Sequence, residues 1–228
     1  MSPRKSNFVT EIVILAGGLS SRMGRDKSRI RLGRRTILGH VRAIAAQLHL
    51  PVRVLRRDAL PRCGPLGGIY TALTRSRADA VLFLACDMPF VSPAFLKQML
   101  KIFRSSIRTE KHKSRTSSPP LLGERAGVRA SSSLSNLFSK KMKLAMSALF
   151  ASHNQLFGLP CLLHRETALS IVSRQIAQKQ FSLQSLARAL KAKTLRPARN
   201  PAHQLLNLNT PADLETARRK LRSPQIKL

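Results

Sequence analysis

Apolar and polar positions change their period several times along the chain, and each change marks an element. Glu11 to Ala16 is a short apolar run stopped by Gly17-Gly18, the mark of a buried parallel strand. Ile37, Leu38, Val41, Ile44, Ala45 and Leu48 then recur at helical spacing. Val52 to Leu55 predicts a second short strand. Gly64-Pro65-Leu66-Gly67-Gly68 reads as a turn, with a second helix beginning over Ile69 to Leu73. Ala80 to Cys86 is apolar throughout, which predicts a strand covered on both faces. Ser92 and Pro93 read as the N-cap and first residue of a helix that runs to about Phe103. This alternation predicts an α/β class fold, a mostly parallel sheet flanked by helices.

The period is lost at about Arg104. From 104 to 143 the chain is rich in Ser, Lys and Arg and carries Pro119-Pro120, which predicts a disordered basic insertion within one domain spanning 1–228. Order is expected to resume with strands at Leu144 to Phe150 and Phe157 to Leu163. Helices over Glu166 to Gln178 and Ser182 to Leu190 and a short strand at Leu205 to Leu208 follow. Thr210-Pro211-Ala212-Asp213 has the form of a helix start, with Thr at the cap and an acid three residues on.

Composition narrows the class of protein. A chain of 228 residues with 43% hydrophobic residues can bury a full core. No apolar run approaches the roughly 18 residues of a membrane span. Met1 to Phe8 is basic, but the apolar segment after it is short, which argues against a secretory signal. Cys63, Cys86 and Cys161 stand far apart without a CxxC pair, which points to a reducing, cytoplasmic setting. Lys and Arg number 41 against ten acids, a net charge of +31, and this favours anionic partners. The cations are spread along the chain and aromatics make up only 4%, which weighs against nucleic acid as the partner.

Two places carry candidate chemistry. Leu15-Ala16-Gly17-Gly18-Leu19-Ser20-Ser21-Arg22-Met23-Gly24-Arg25-Asp26-Lys27 directly follows the first strand. Its glycines let backbone N–H groups approach a phosphate chain, and Arg22 and Lys27 add charge where a leaving pyrophosphate would form. The spacing is neither that of a Walker A loop nor that of a dinucleotide fingerprint, and an ordinary βα loop with surface cations would look similar. Asp87 closes the apolar strand, at the end where α/β sheets bind ligands. There it suits Mg²⁺ held against phosphate oxygens, or simply caps the turn before Met88-Pro89. Asp58, on its own, reads as a solvated surface acid. Gly64 to Gly68 fits either a nest for base or ribose or a tight turn. The six His residues form no ligand-spaced cluster.

Read together, L-A-G-G-x-S-x-R-M-G-x-D-K at Leu15 to Lys27, G-P-L-G-G at Gly64 to Gly68, C-D-M-P at Cys86 to Pro89 and N-x-N-T-P at Asn207 to Pro211 form an ordered set. The set resembles the molybdenum cofactor guanylyltransferases over about residues 9 to 103 and, more loosely, 144 to 221. The resemblance implies a Rossmann-like nucleotidyltransferase fold. It also implies a reaction in which the terminal phosphate of molybdopterin attacks the α-phosphorus of GTP and releases pyrophosphate. Leu15, Ala16, Gly17 and Gly18 would bind GTP, Arg22 and Lys27 would act on its phosphates, and Asp58 would contact the nucleotide. Asp87 would hold both the nucleotide and Mg²⁺. GTP and molybdopterin would be the substrates, with delivery of the product to molybdoenzymes. The L-A-G-G and G-P-L-G-G versions separate the chain from the similar cytidylyltransferases of the same cofactor. A non-catalytic relative that binds nucleotide or nucleic acid through its charge stays open as the rival. Only Pro51 to Cys63 joins the first helix to G-P-L-G-G, shorter than the family pattern, so the second strand is either Val52 to Leu55 with its following loop removed or absent.

Overall fold

The computed structural model describes residues 8–17, 27–60, 62–116, 147–153 and 156–222. Its strands are β1 (Thr10–Leu15), β2 (Arg31–Leu32), β3 (Arg35–Thr36), β4 (Val52–Leu55), β5 (Ala80–Ala85), β6 (Ala148–His153), β7 (Leu156–His164) and β8 (Lys193–Leu195). Its helices are α1 (Ile37–Ala46), α2 (Gly64–Arg75), α3 (Pro93–Thr116), α4 (Arg165–Ala177), α5 (Leu183–Ala189), α6 (Pro201–Gln204) and α7 (Pro211–Arg222), and a 3-10 turn covers Lys27–Arg29.

Six strands form one sheet in the order β4-β1-β5-β7-β6-β8, and β2 and β3 form a small separate hairpin. The pairs β1–β4, β1–β5 and β6–β8 are parallel; β5–β7 and β6–β7 are antiparallel. The apolar runs read as doubly covered strands behave that way. Successive side chains of a strand point to opposite faces, so Ile12, Ile14, Leu82 and Leu84 enter a core with α1 and α3. Val13, Val81 and Phe83 enter the other core, with α2, α4 and α5. Each large apolar side chain buried completely, such as Phe83, stabilises the fold by roughly 1.5–3 kcal/mol.

The helix starts follow the local chemistry. Thr36 Oγ1 accepts from Gly39 N–H at 3.0 Å to open α1, and Ser92 Oγ accepts from Phe95 N–H at 3.2 Å to open α3 at Pro93. Ser182 caps α5 by accepting from Gln184 N–H. At α7, Asp213 N–H donates to Thr210 Oγ1 while Asp213 Oδ2 accepts from the N–H groups of Asn209 and Thr210, a reciprocal box.

One open alternative is settled, two expectations change, and one strand comes as an addition. Val52–Leu55 is a strand, paired in register with Ile12–Leu15, so the short connection keeps the second strand. Helix α3 runs on to Thr116, which makes 104–116 helical; residues 117–146 lie outside those described. Leu205 to Leu208 is not a strand, because α6 ends there and Leu208 directs its N–H to a single carbonyl, that of Asp87, instead of a ladder. β8 had no apolar signature to reveal it: Lys193 and Thr194 are exposed on a three-residue strand beside β6.

Candidate functional site

Three parallel strands end level with one another. Leu15 of β1 is in register with Leu55 of β4 and with Ala85 of β5. Backbone bonds carry the alignment one residue further, from Ala16 N–H to the Leu55 carbonyl at 2.8 Å and from Cys86 N–H to the Leu15 carbonyl at 3.0 Å. The chain leaving all three strands therefore emerges on one edge of the sheet, where open α/β sheets take their ligands. β1 delivers Ala16-Gly17 to that edge, β4 delivers Arg56 to Asp58, and β5 delivers Cys86-Asp87.

Asp58 is not the solvated surface acid its isolated position suggests. Its half-buried carboxylate is bordered by three glycines from two elements. A Cβ on Gly17 would lie 3.3 Å from Oδ1, one on Gly68 3.2 Å from Oδ1, and one on Gly67 3.5 Å from Oδ2. Burial raises the pKa of this carboxyl above the ordinary aspartate value.

Gly64-Pro65-Leu66-Gly67-Gly68 is the first turn of α2, rather than a turn ahead of it. Proline suits that position because its missing N–H has no helical partner there. The glycines are needed for close approach: a Cβ on Gly67 would stand only 2.6 Å from the Leu60 carbonyl oxygen. Thr71, which the sequence reading did not single out, joins the two sides. Its Oγ1 accepts from Ala59 N–H at 2.8 Å and donates to the Gly67 carbonyl at 2.7 Å. A threonine four residues after a glycine inside an apolar helix face was the available signal, since such hydroxyls bond back to the preceding turn.

Asp87 is half-buried at the end of β5, and its carbonyl accepts from Leu208 N–H at 2.9 Å. The bond sets Asn207-Leu208-Asn209 beside Cys86-Asp87-Met88, so two motifs distant in sequence meet at the edge. Leu15, Ala16, Gly17, Asp58 and Asp87 thus share one end of the sheet. Lys27 opens the 3-10 turn that leads into the β2–β3 hairpin. Gly18 and Arg22 lie outside the described residues. No three His, Cys, Asp or Glu side chains gather into a metal cage among the described residues. No helix there is long and apolar enough to cross a membrane.

Glycine backbone after β1 and carboxylates after β4 and β5 thus lie on one edge of the sheet. Solved nucleotidyltransferases share this architecture. Molybdopterin-guanine dinucleotide biosynthesis protein A from Archaeoglobus fulgidus is 18% identical, covers 92% of this chain and 98% of its own, and superposes with a TM-score of 0.58. The 2-C-methyl-D-erythritol 4-phosphate cytidylyltransferase of Thermus thermophilus is 13% identical and reaches 0.60 over 94% of this chain and 100% of its own. The fold is thus a Rossmann-like nucleotidyltransferase fold. Residues 12–196 match the MobA-like NTP transferase domain, and the chain belongs to that family.

Among individual relatives, the protein named probable molybdenum cofactor guanylyltransferase in Methanothermobacter thermautotrophicus is 38% identical over 114 residues. The match covers 41% of this chain and 57% of that protein. The molybdenum cofactor guanylyltransferase of Syntrophotalea carbinolica is 34% identical over 108 residues, 41% of this chain and 51% of its own. The chain spans about half the length of the curated relatives it matches.

Proposed function

We propose that this chain transfers GMP from GTP to the terminal phosphate of molybdopterin. A phosphate oxygen of the acceptor attacks the α-phosphorus, and the bond from that phosphorus to the departing pyrophosphate breaks. The observation that carries the reading is the Asp58 carboxylate set against Gly17, Gly67 and Gly68 at the strand ends, with Asp87 on the same edge. An ionised carboxylate only accepts hydrogen bonds, so Asp58 calls for a donor-bearing partner, such as the N–H groups of guanine or ribose hydroxyls. The backbone of Leu15 to Gly18 approaches the phosphates, and Arg22 and Lys27 supply positive charge to them.

Asp87 fits Mg²⁺. That ion is commonly held by one or two carboxylates, with phosphate oxygens and water completing its shell. The ion would neutralise charge on the triphosphate. Positioning and charge neutralisation account for most of the catalysis in phosphoryl chemistry.

The test is purified protein with molybdopterin, Mg²⁺ and either GTP or CTP, with the dinucleotide product resolved by mass spectrometry. The guanine dinucleotide should form and the cytosine product should not. Equal or preferential use of CTP would assign the chain to the cytidylyltransferases. Nucleotide binding without any transfer would favour the non-catalytic rival.

A further inference from the structure

Beside the two cores of the sheet, the described residues form a third, small apolar cluster. It gathers Leu32, Ile37, Phe90, Leu208, Leu214 and Ala217. These six residues come from three separate lengths of chain. Leu32 belongs to the hairpin that follows Lys27, Ile37 opens α1 directly after that hairpin, and Phe90 stands three residues after Asp87. Leu208, Leu214 and Ala217 come from the segment that ends in α7.

That last segment is fastened to the loop after β5 at three points. Leu208 N–H donates to the Asp87 carbonyl at 2.9 Å. Gln204 Oε1 accepts from Ser92 N–H at 3.2 Å. The rings of His203 and Phe90 lie 4.5 Å apart. On the other side, Gly33 of the hairpin lies against α7: a Cβ there would meet Leu221 Cδ1 at 3.7 Å. The whole segment lies beyond the residues 12–196 that match the family domain.

We infer that residues 203–221 are a positioning clasp, with Leu208 at its centre, that sets the Lys27 turn and the Asp87 loop at a fixed distance from each other. The inference rests on the reading of Lys27 and Asp87 as the phosphate and metal groups of the proposed reaction. Leu208 touches both halves at once: its backbone bonds the Asp87 main chain, and its fully buried side chain packs in the cluster the hairpin shares. Asp58 and the start of α2 belong to other contacts, so base recognition is independent of the clasp. Small displacements of positioned groups cost up to about a hundredfold in rate.

The experiment compares four full-length variants with the wild type. Leu208→Ala and Leu214→Ala each open the clasp cluster from a different element, and Leu208→Met refills it. Leu163→Ala makes a cavity in the core of the sheet, in register with Val81 and so away from the strand ends where Asp87 lies. Under conditions where all remain folded by circular dichroism, Leu208→Ala and Leu214→Ala should lower kcat roughly 10- to 100-fold. The KM for GTP should rise no further than it does in Lys27→Ala, because the base site at Asp58 stands apart from the clasp and keeps its contacts. Leu208→Met should recover most of the loss, and Leu163→Ala should keep its kcat.

A second readout, amide hydrogen exchange, stands apart from activity. Leu208→Ala should speed exchange both in residues 27–37 and in residues 86–91, and leave α2 protected. A fall in kcat shared equally by Leu163→Ala, or faster exchange confined to residues 203–214, would overturn the clasp. If the wild type transfers no nucleotide, the proposed function fails, and the exchange pattern alone decides whether the two segments are coupled.

Discussion

Oδ1 of Asp58 lies 3.2 Å from the point a Cβ on Gly68 would occupy. The carboxylate and the helix start are therefore mutually shaped: the acid stands where a side chain on α2 would otherwise be. Leu15 Cδ2 borders the same point at 3.2 Å, so the last residue of β1 closes the other side. One edge contact thus ties together β1, the loop after β4 and the first turn of α2.

Alanine at Gly67 and at Gly68 should have different effects. At Gly67 the new Cβ would lie 2.6 Å from a backbone carbonyl, which must move. Overpacking of that kind costs about 1–3 kcal/mol, more than the roughly 1 kcal/mol that alanine gains over glycine in a helix. Gly67→Ala should therefore lower the urea midpoint. At Gly68 the contacts are a carboxylate and a leucine methyl, both able to shift by a few tenths of an ångström. Gly68→Ala should leave the midpoint nearly unchanged and still weaken GTP binding in calorimetry, because the group that gives way is Asp58.

Asp58→Asn should separate stability from function. Burial raises the carboxyl pKa in the folded chain, so the folded state holds its proton more tightly than the unfolded state does. Stability falls as pH rises through the window between the unfolded value and the raised folded one, and the deficit persists at neutral pH. Removing the charge should thus raise Tm at pH 7 by a small amount and flatten the dependence on the acid side. GTP binding should fall in the same protein. A lower Tm at pH 7 would mean that the charge is compensated by a partner.

The strands and caps were legible because they depend on near neighbours. Ala80–Ala85 is apolar at every position, Ser92-Pro93 states its own helix start, and Thr210 with Asp213 forms its box within four residues. Asp87 could be placed at the ligand edge from the sequence because it closes an apolar strand. Asp58 was singled out only through resemblance, because the glycines that border it are supplied by strand pairing and by α2. Within the clasp the start of α7 was legible, but nothing local showed what the segment packs against. Leu205 to Leu208 looks like a short strand until Asp87, more than a hundred residues earlier, is seen to take the Leu208 N–H. The length of α3 was hidden for a different reason: Arg104 to Thr116 carries a single apolar residue, Ile107, too few to show the period by which a packed helix is recognised, yet it continues one whose packing reaches Ile107.

His203 gives the clasp a pH dependence. Burial, and then the nearby positive charge of Lys220, lowers its pKa in the folded chain. The folded state therefore favours the neutral ring. Its contribution to stability is complete above the ordinary histidine value of about 6.5 and is lost as pH falls through that value toward the lowered one. Tm should drop on going from about pH 7 to pH 5. His203→Phe keeps a ring against Phe90 and should remove part of that drop. Equal pH profiles for the two proteins would place the dependence on other groups.

Asp87→Asn and Lys27→Ala test the two ends of the phosphate machinery separately. Asp87 follows β5 directly, and its backbone is held by Leu208. Asparagine keeps the shape and the main-chain bond while removing the charge that would attract Mg²⁺. Transfer should fall on the order of a hundred- to a thousandfold, the loss typical when one preorganised electrostatic group is removed from a transition state. The carbonyl bonded to Leu208 is untouched, so the variant should keep the native circular dichroism spectrum. Lys27 opens the 3-10 turn between the glycine-rich loop and the hairpin. Lys27→Ala removes a charge that would act on the triphosphate both before and during transfer. It should raise the KM for GTP as well as lower kcat, and added Mg²⁺ should not restore either. Nearly full transfer by purified Asp87→Asn would remove the metal role from this residue, and unchanged kinetics in Lys27→Ala would detach the hairpin side of the clasp from the chemistry.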